Sequence, residues 1–171
     1  FELGYNPKAK DAFSKAALKK AYDKQVLVSS GLSLINESSG QIVDRFKERT
    51  MFPIQSYSGR TLGFGGRAFN PNAKAKYLNS PETLIYHKSK VLYGLNYAKH
   101  AIGKEELCYI VEGYTDVISM HQNGIENVVS ASGTALTLEQ IKLINRLAQN
   151  VVLLFDGDNA GIKATYKSIN M

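Results

Sequence analysis

The stretch LCYIVEGYTD, Leu107 to Asp116, set beside VVLLFDGDNAG, Val151 to Gly161, decides how this chain folds. Leu107 to Val111 and Val151 to Phe155 are apolar runs without the alternation of a half-solvated strand, and each stops at an acidic residue followed by glycine. Such runs read as strands of a parallel sheet covered on both faces. Between them a helix is expected from about Asp116 to Asn123, ended by Gly124, and then a strand at Val128-Val129. Thr137 and Gln140 have the spacing of a capping box, opening a helix that runs to about Gln149. Strands alternating with helices define an α/β class, with the parallel sheet flanked by helices.

In an open parallel sheet, ligands bind beyond the carboxyl ends of the strands. Glu112 and Asp156 both take that place, and Asp158 follows in a tight Asp-Gly-Asp turn. Three carboxylates gathered there repel one another unless a cation neutralises them. Magnesium, or manganese in its place, is the natural candidate, because it takes oxygen ligands and is held by one or two carboxylates plus substrate phosphate. Such an ion orients a nucleophile and stabilises the charge that develops in phosphoryl transfer. Asp116 is either a helix N-cap or an outer partner of the same metal. The competing account makes Asp156 and Asp158 turn and cap residues and Glu112 a solvated acid. It fits either motif alone, and their joint occurrence after two parallel strands favours the metal. DGDNAG is not a calcium loop, since the third ligand position holds Ala160 and the twelfth holds Lys167, where a glutamate is needed. His87, His100 and His121 have no metal-ligand spacing.

Upstream the chain changes character. Residues 1 to 107 carry 17 Lys and Arg against 9 Asp and Glu, while residues 108 to 171 carry 4 against 6. The basic part suits a polyanion, through sequence-independent and salt-sensitive contacts, and the acidic part suits a metal. A solvated basic surface would show the same excess. A surface helix is expected over residues 9 to 22, and a second short one ending at Gly31. A hairpin of Thr50 to Tyr57 and Thr61 to Phe69 should turn at Ser58-Gly59, with a polar loop over residues 70 to 76 and a helix over Lys88 to Lys99. Met51, Phe52 and Ile54 read as core. Arg67 follows Gly65-Gly66, where missing side chains would admit a phosphate backbone or serve only a bulge. Lys76-Tyr77 pairs a cation with a ring able to stack on a base. GFGGR lacks the spacing of a Walker loop.

The 171 residues, 44% of them hydrophobic, can bury a real core in one unit or two small ones. The single cysteine, Cys108, excludes a disulfide framework and a cysteine-based zinc site. With no signal pattern and no long apolar stretch, a soluble cytoplasmic protein with no membrane partner is expected. Because it starts at Phe1 and stops inside a helical pattern, the chain reads as a piece of a longer polypeptide.

EGYTD (Glu112 to Asp116), Ser132-Gly133-Thr134 and DGD (Asp156 to Asp158) resemble, in order and spacing, the TOPRIM module shared by bacterial primases and type IA and II topoisomerases. RFKERTMFPI (Arg45 to Ile54), GRTLGFGGRAF (Gly59 to Phe69), KYLNSPET (Lys76 to Thr83) and YHKSKVLYGL (Tyr86 to Leu95) are similar to successive motifs of the DnaG-type RNA polymerase core. The match is dense over residues 42 to 163. It implies a TOPRIM subdomain at 105 to 171 and a smaller mixed α+β basic subdomain at 1 to 104. The implied activity is synthesis of short RNA primers on single-stranded DNA from ribonucleoside triphosphates.

On that resemblance Glu112, Asp156 and Asp158 hold the metals. These bring the primer 3′-hydroxyl to the α-phosphate of the incoming nucleotide and stabilise the pyrophosphate leaving group. Arg67, Lys76, Tyr77 and Lys88 match basic and aromatic positions of the family's groove, and Asn79 a position near the nucleotide. Zinc is expected only in a separate N-terminal domain, and helicase docking only in a separate C-terminal one. Further acidic residues of the family's metal site lie beyond Met171, so the 171-residue chain alone is expected to bind magnesium weakly and make little or no primer. A TOPRIM nuclease or topoisomerase, and a non-catalytic nucleic-acid-binding module, are the alternatives; the upstream motifs argue against the first and the acidic triplet against the second.

Overall fold

The computed structural model describes residues 1 to 132 and 136 to 169, so the Gly133-Thr134 part of the Ser132-Gly133-Thr134 motif lies outside the described residues. The chain divides into two units, one made of Phe1–Pro53 and Thr61–His87, the other of Ile54–Arg60 and Lys88–Met171. The second unit thus takes in the 54–60 turn as well as the chain from Lys88 onward, whereas the sequence places a subdomain boundary at 104/105.

The first unit contains strands β1 (Gly4–Asn6), β2 (Ser33–Ile35), β3 (Ile42–Asp44), β4 (Arg49–Gln55, whose last two residues fall in the second unit), β5 (Thr61–Ala68) and β6 (Tyr77–Asn79), with helices α1 (Ala12–Lys19) and α2 (Lys24–Ser29). Four strands form a sheet in the order β1-β4-β5-β6, and β2 and β3 form a separate antiparallel pair. Phe46, Phe52, Leu27 and Tyr86 are buried beneath these elements; Met51 is only half-buried.

Helix α1 is shorter than the 9-to-22 pattern, and its start is set from a distance. Asp44, 2% exposed on β3, accepts the N–H of Phe13 and the N–H of Ser14 at 2.8 Å each, and the Ser14 hydroxyl as well. These are first-turn donors that no intrahelical carbonyl can satisfy. Asp11, the residue at the N-cap position, makes no side-chain cap bond. Beyond Lys19 the chain turns back, with Ala21 at φ 63 and the Tyr22 N–H donating to Ala17 O.

The second unit is built on strands β7 (Leu107–Val111), β8 (Val128–Ser130) and β9 (Asn150–Leu154), all parallel, in the order β8-β7-β9. Helix α3 (Leu95–Glu105) precedes the sheet, α4 (Tyr114–Gln122) and α5 (Leu138–Asn145) are the crossovers, and α6 (Asn159–Ile169) follows β9. Leu92, Leu95, Ala98 and Ile102 pack with Cys108 and Ile110 of β7 and with Ile144 and Ala148, forming one apolar cluster. Ile54 is also buried in this unit.

Two expectations need correction here. The predicted helix over Lys88 to Lys99 is a single 3₁₀ turn at Lys88–Lys90, an extended stretch and then α3. Both backbone groups of Tyr93 pair with Ser130, N–H to O at 2.9 Å and O to N–H at 3.0 Å, so they are withdrawn from any helix. Gly94, at φ 84, then starts α3 in a left-handed conformation. The second correction concerns β9. The sheet does lie among helices, but among the described residues β9 is an edge strand, and Val151 and Leu154 are each 45% exposed. An unbroken apolar run reads the same in a covered strand and in one whose second face has no partner among the described residues.

A candidate acidic active site

The register of the parallel sheet decides where the acids emerge. Val111 stands opposite Ser130 on one side and Leu154 on the other, so the three strands end level. Glu112 follows directly and Asp156 lies two residues beyond the end of β9. Glu112 Oε1 accepts the backbone N–H of Asp156 at 2.9 Å, which joins the two motifs across 44 residues.

A glycine makes this possible. A Cβ on Gly161 would lie 2.1 Å from the Asp156 carbonyl oxygen and 2.6 Å from Glu112 Oε1. No side chain fits there, so α6 rests with its bare first turn against the Glu112–Asp156 junction. Gly161 was not singled out in the sequence; its signal is the glycine five residues after Asp156 in DGDNAG.

Asp158 is placed differently. Its Oδ1 accepts the N–H of Ala160 at 3.0 Å and of Gly161 at 2.8 Å, capping α6. Asp116 is not an N-cap. Helix α4 starts earlier than predicted, with Gly113 at the N-cap, and Asp116 in the first turn reaches back with Oδ2 to accept the Gly113 N–H at 2.9 Å. That contact fixes the peptide next to Glu112. On the other side of β7, the buried Ser130 hydroxyl donates to the Glu112 carbonyl oxygen at 2.7 Å and accepts the Ser132 N–H at 2.9 Å. Glu112 is therefore held at its backbone by β8 and through its carboxylate by the Asp156 turn.

Among the described residues no group of three or more His, Cys, Asp or Glu converges as a metal cage. The donors that the site does offer are the second Glu112 oxygen, the exposed Asp156 carboxylate and the Asp158 oxygen not used in the cap. These are hard oxygen donors, few in number and open to solvent, a set that fits an ion which retains water and takes phosphate oxygens. It does not fit a dedicated calcium or zinc site.

The basic candidates fall in both units. In the first, β5 and β6 pair antiparallel with Arg67 opposite Tyr77 and Gly65 opposite Asn79. Directly opposed residues share a face, as do residues two apart, so Arg67, Tyr77 and Asn79 lie on one side of this ribbon. Arg67 and Lys76 also line an open depression of about 450 Å³ with Thr50, Phe69 and Asn70. Lys88 is in the other unit, in the 3₁₀ turn.

Gly66 has a different use from the one suggested in the sequence. Its absent side chain faces the protein interior, where a Cβ would lie 2.7 Å from the Phe46 ring and 2.9 Å from Arg49 Cδ. Arg49, itself buried, donates to Gly66 O at 3.0 Å, Ala75 O at 2.9 Å and Lys76 O at 3.2 Å. Arg49 thus fastens the end of the 70-to-76 loop to β5 and fixes the backbone that presents Lys76. Burial lowers its pKa, from a starting value so high that the charge persists.

A parallel sheet with acids at its carboxyl ends in one unit, in a chain whose other unit is mixed and basic, marks a TOPRIM-type protein of nucleic-acid metabolism. Residues 1–99 match the family described as DNA primase catalytic core, N-terminal domain, and residues 109–171 match the Toprim-like family. The chain belongs to the DNA primase catalytic-core family. It is 46% identical over 171 residues to a DNA primase of Deinococcus radiodurans, covering 99% of this chain and 30% of that one. Among solved structures, the RNA polymerase domain of Mycobacterium tuberculosis primase DnaG superposes with a TM-score of 0.89 at 35% identity, covering 99% of this chain and 57% of that one. A DnaG primase catalytic domain bound to ssDNA gives 0.84 at 38% identity, with 98% and 51% covered. The chain thus spans less than a third of the curated D. radiodurans relative. No helix among the described residues is long and apolar enough to cross a membrane.

Proposed function

We propose that this chain is the catalytic-core portion of a DNA primase, a nucleotidyltransferase that makes short RNA primers on single-stranded DNA from ribonucleoside triphosphates. The observation that carries the reading is the Glu112–Asp156 contact at the level ends of parallel strands, in a chain whose relatives are DNA primases. Glu112, Asp156 and Asp158 would hold magnesium or manganese. When bound, the ion would supply Lewis-acid stabilisation of the charge that develops on the α-phosphate of the transferred nucleotide and on the departing pyrophosphate.

The chain's own residues do the rest. Asp116 holds the Gly113 peptide, so the Glu112 carboxylate starts from a fixed backbone. Preorganised charge of this kind acts without reorganisation when the reaction occurs. Arg67, Lys76 and Lys88 bind phosphates, Tyr77 stacks on a base, and Asn79 touches the nucleotide. Residues 1 to 104 serve as the basic subdomain and 105 to 171 as the TOPRIM subdomain. Template DNA and the growing RNA primer are the macromolecular partners, in the cytoplasm at the replication fork. Zinc and the replicative helicase belong to separate N-terminal and C-terminal domains.

One observation favours a non-catalytic nucleic-acid-binding module instead, namely that an Asp158 oxygen is committed to a helix cap. The experiment that separates the two is ribonucleotide incorporation on single-stranded DNA by the full-length parent protein. Glu112→Gln and Asp156→Asn are each expected to lose at least about 100-fold in kcat. Full activity of both variants in magnesium would refute the catalytic assignment, and DNA binding indifferent to magnesium and to Asp156→Asn would favour the module.

A further inference from the structure

The capping box of α5 reaches beyond its own helix. Gln140 is fully buried, and its Oε1 accepts the Thr137 N–H at 3.1 Å, as a capping box requires. Its Nε2, however, donates to the carbonyl oxygens of Lys88 at 3.1 Å and of Val91 at 2.8 Å. The Thr137 hydroxyl accepts the Gln140 N–H at 3.2 Å and donates to Ser89 O at 2.5 Å. Two side chains of one cap thus engage three carbonyls in the four-residue segment that carries Lys88. Helix capping needs none of these three bonds.

The same segment is fixed at its other end. Tyr93 pairs through both backbone groups with Ser130, whose hydroxyl binds the Glu112 carbonyl oxygen. The Lys88 backbone is therefore clamped by Gln140 on one side and tied through Tyr93 and Ser130 to the strand ends that carry Glu112. Without the clamp, Lys88 would sit on a stretch with one turn of 3₁₀ helix and, apart from the Tyr93–Ser130 bridge, no regular structure from there to α3.

We infer that Gln140, assisted by Thr137, is a positioning residue for the nucleotide, holding the Lys88–Val91 backbone so that the Lys88 ammonium meets the triphosphate at a fixed distance from the acidic centre. The inference rests on the primase reading and on Lys88 binding phosphate. It adds a buried amide that touches neither substrate nor metal and acts only through Lys88. Loss of such a clamp weakens nucleotide binding while the chemistry of a correctly bound nucleotide is kept.

The test is a cycle in the full-length parent enzyme with Lys88→Ala, Gln140→Met and the double variant. Ribonucleotide KM, kcat and thermal midpoint are read for each. Gln140→Met is expected to raise KM about tenfold with kcat changed less than about threefold, and to change KM less than about twofold when Lys88 is already alanine. Thr137→Val, which loses only the bond to Ser89 and the α5 cap, should shift KM in the same direction. Thr137→Ser, which keeps the hydroxyl, should restore KM, and this pair decides the matter if Gln140→Met does not fold. A KM shift that persists undiminished in the Lys88→Ala background, or a lowered midpoint with unchanged KM, overturns the inference while leaving the primase reading intact. An unchanged KM in Lys88→Ala alone overturns the phosphate role of Lys88 and the inference together.

Discussion

Glu112 and Asp156, 44 residues apart, are joined by a hydrogen bond of 2.9 Å from a backbone N–H to a carboxylate oxygen. A glutamine at position 112 keeps an oxygen for that bond but removes the charge. Glu112→Gln is therefore expected to melt within about 2 °C of the parent and to bind magnesium at least about tenfold more weakly. Glu112→Ala should lose the metal and also about 1–2 kcal/mol of stability, since the Asp156 N–H then has only solvent. Calorimetric titration and thermal melts give both values, and an unchanged magnesium affinity in Glu112→Gln would remove Glu112 from the metal site.

Gly161 lies in a helix, where alanine ordinarily stabilises by about 1 kcal/mol. Here the sign reverses, because the added methyl would sit 2.1 Å from Asp156 O and 2.6 Å from Glu112 Oε1. Gly161→Ala should cost about 2 kcal/mol or more in a denaturant titration and lower magnesium affinity together with it. A more stable alanine variant would show that the close approach does not exist in solution.

Asp44 satisfies two first-turn N–H groups of α1 and the Ser14 hydroxyl while almost fully buried. Asp44→Ala leaves those donors without a partner, and a loss of about 3 kcal/mol is expected. Asp44→Asn should lose nearly as much, because its amide nitrogen presents hydrogens to other hydrogens. Urea unfolding followed by circular dichroism measures both; an asparagine variant as stable as the parent would contradict the assigned geometry.

Burial pushes the Cys108 thiol from its ordinary 9.0 up to about 12. Burial, and then the charge of Glu82, pushes the Tyr86 hydroxyl from 10.0 up to about 12. The folded chain keeps these protons at a pH where the unfolded chain releases them. Stability from both is thus complete below the unfolded values and declines as pH rises from 9 towards 12. The slope is at most about 1.4 kcal/mol per pH unit for each group. Urea midpoints across that range should fall, and less steeply in Cys108→Val. The same burial predicts a thiol inert to alkylation in the folded protein at neutral pH.

Arg67 and Lys76 are exposed on the first unit and line the same depression. If each contacts one phosphate, Arg67→Ala should reduce the slope of log affinity for single-stranded DNA against log salt by about 0.7. Arg49→Met should weaken the same binding although Arg49 is buried, by releasing the Lys76 backbone. Unaltered salt slopes in Arg67→Ala would place the DNA elsewhere.

Much of the second unit was legible because its signals are local. The apolar runs at 107 and 151, the Thr137–Gln140 spacing and Gly124 after α4 each follow from propensity, capping or periodicity within a few residues. The first unit was less so. Strands β2, β3 and β6 are three residues each, too short for a pattern, and exist because neighbouring strands pair with them. The start of α1 was unreadable for the same reason, since its cap comes from Asp44 on a strand about 30 positions later.

From its sequence alone, the chain determines the order of its elements, the emergence of Glu112 and Asp156 at strand ends, and the motifs that mark its family. Side-chain periodicity and turn chemistry are properties of neighbouring residues, and no fold is needed to express them. Only the tertiary structure decided that Asp158 caps a helix, that Gly66 makes room for Phe46 and Arg49, that β9 is an edge, and that Gln140 clamps the Lys88 segment. In each case a residue's partner lies across the packed fold, and the polar group or missing methyl takes its meaning from what burial brings within hydrogen-bonding or van der Waals distance.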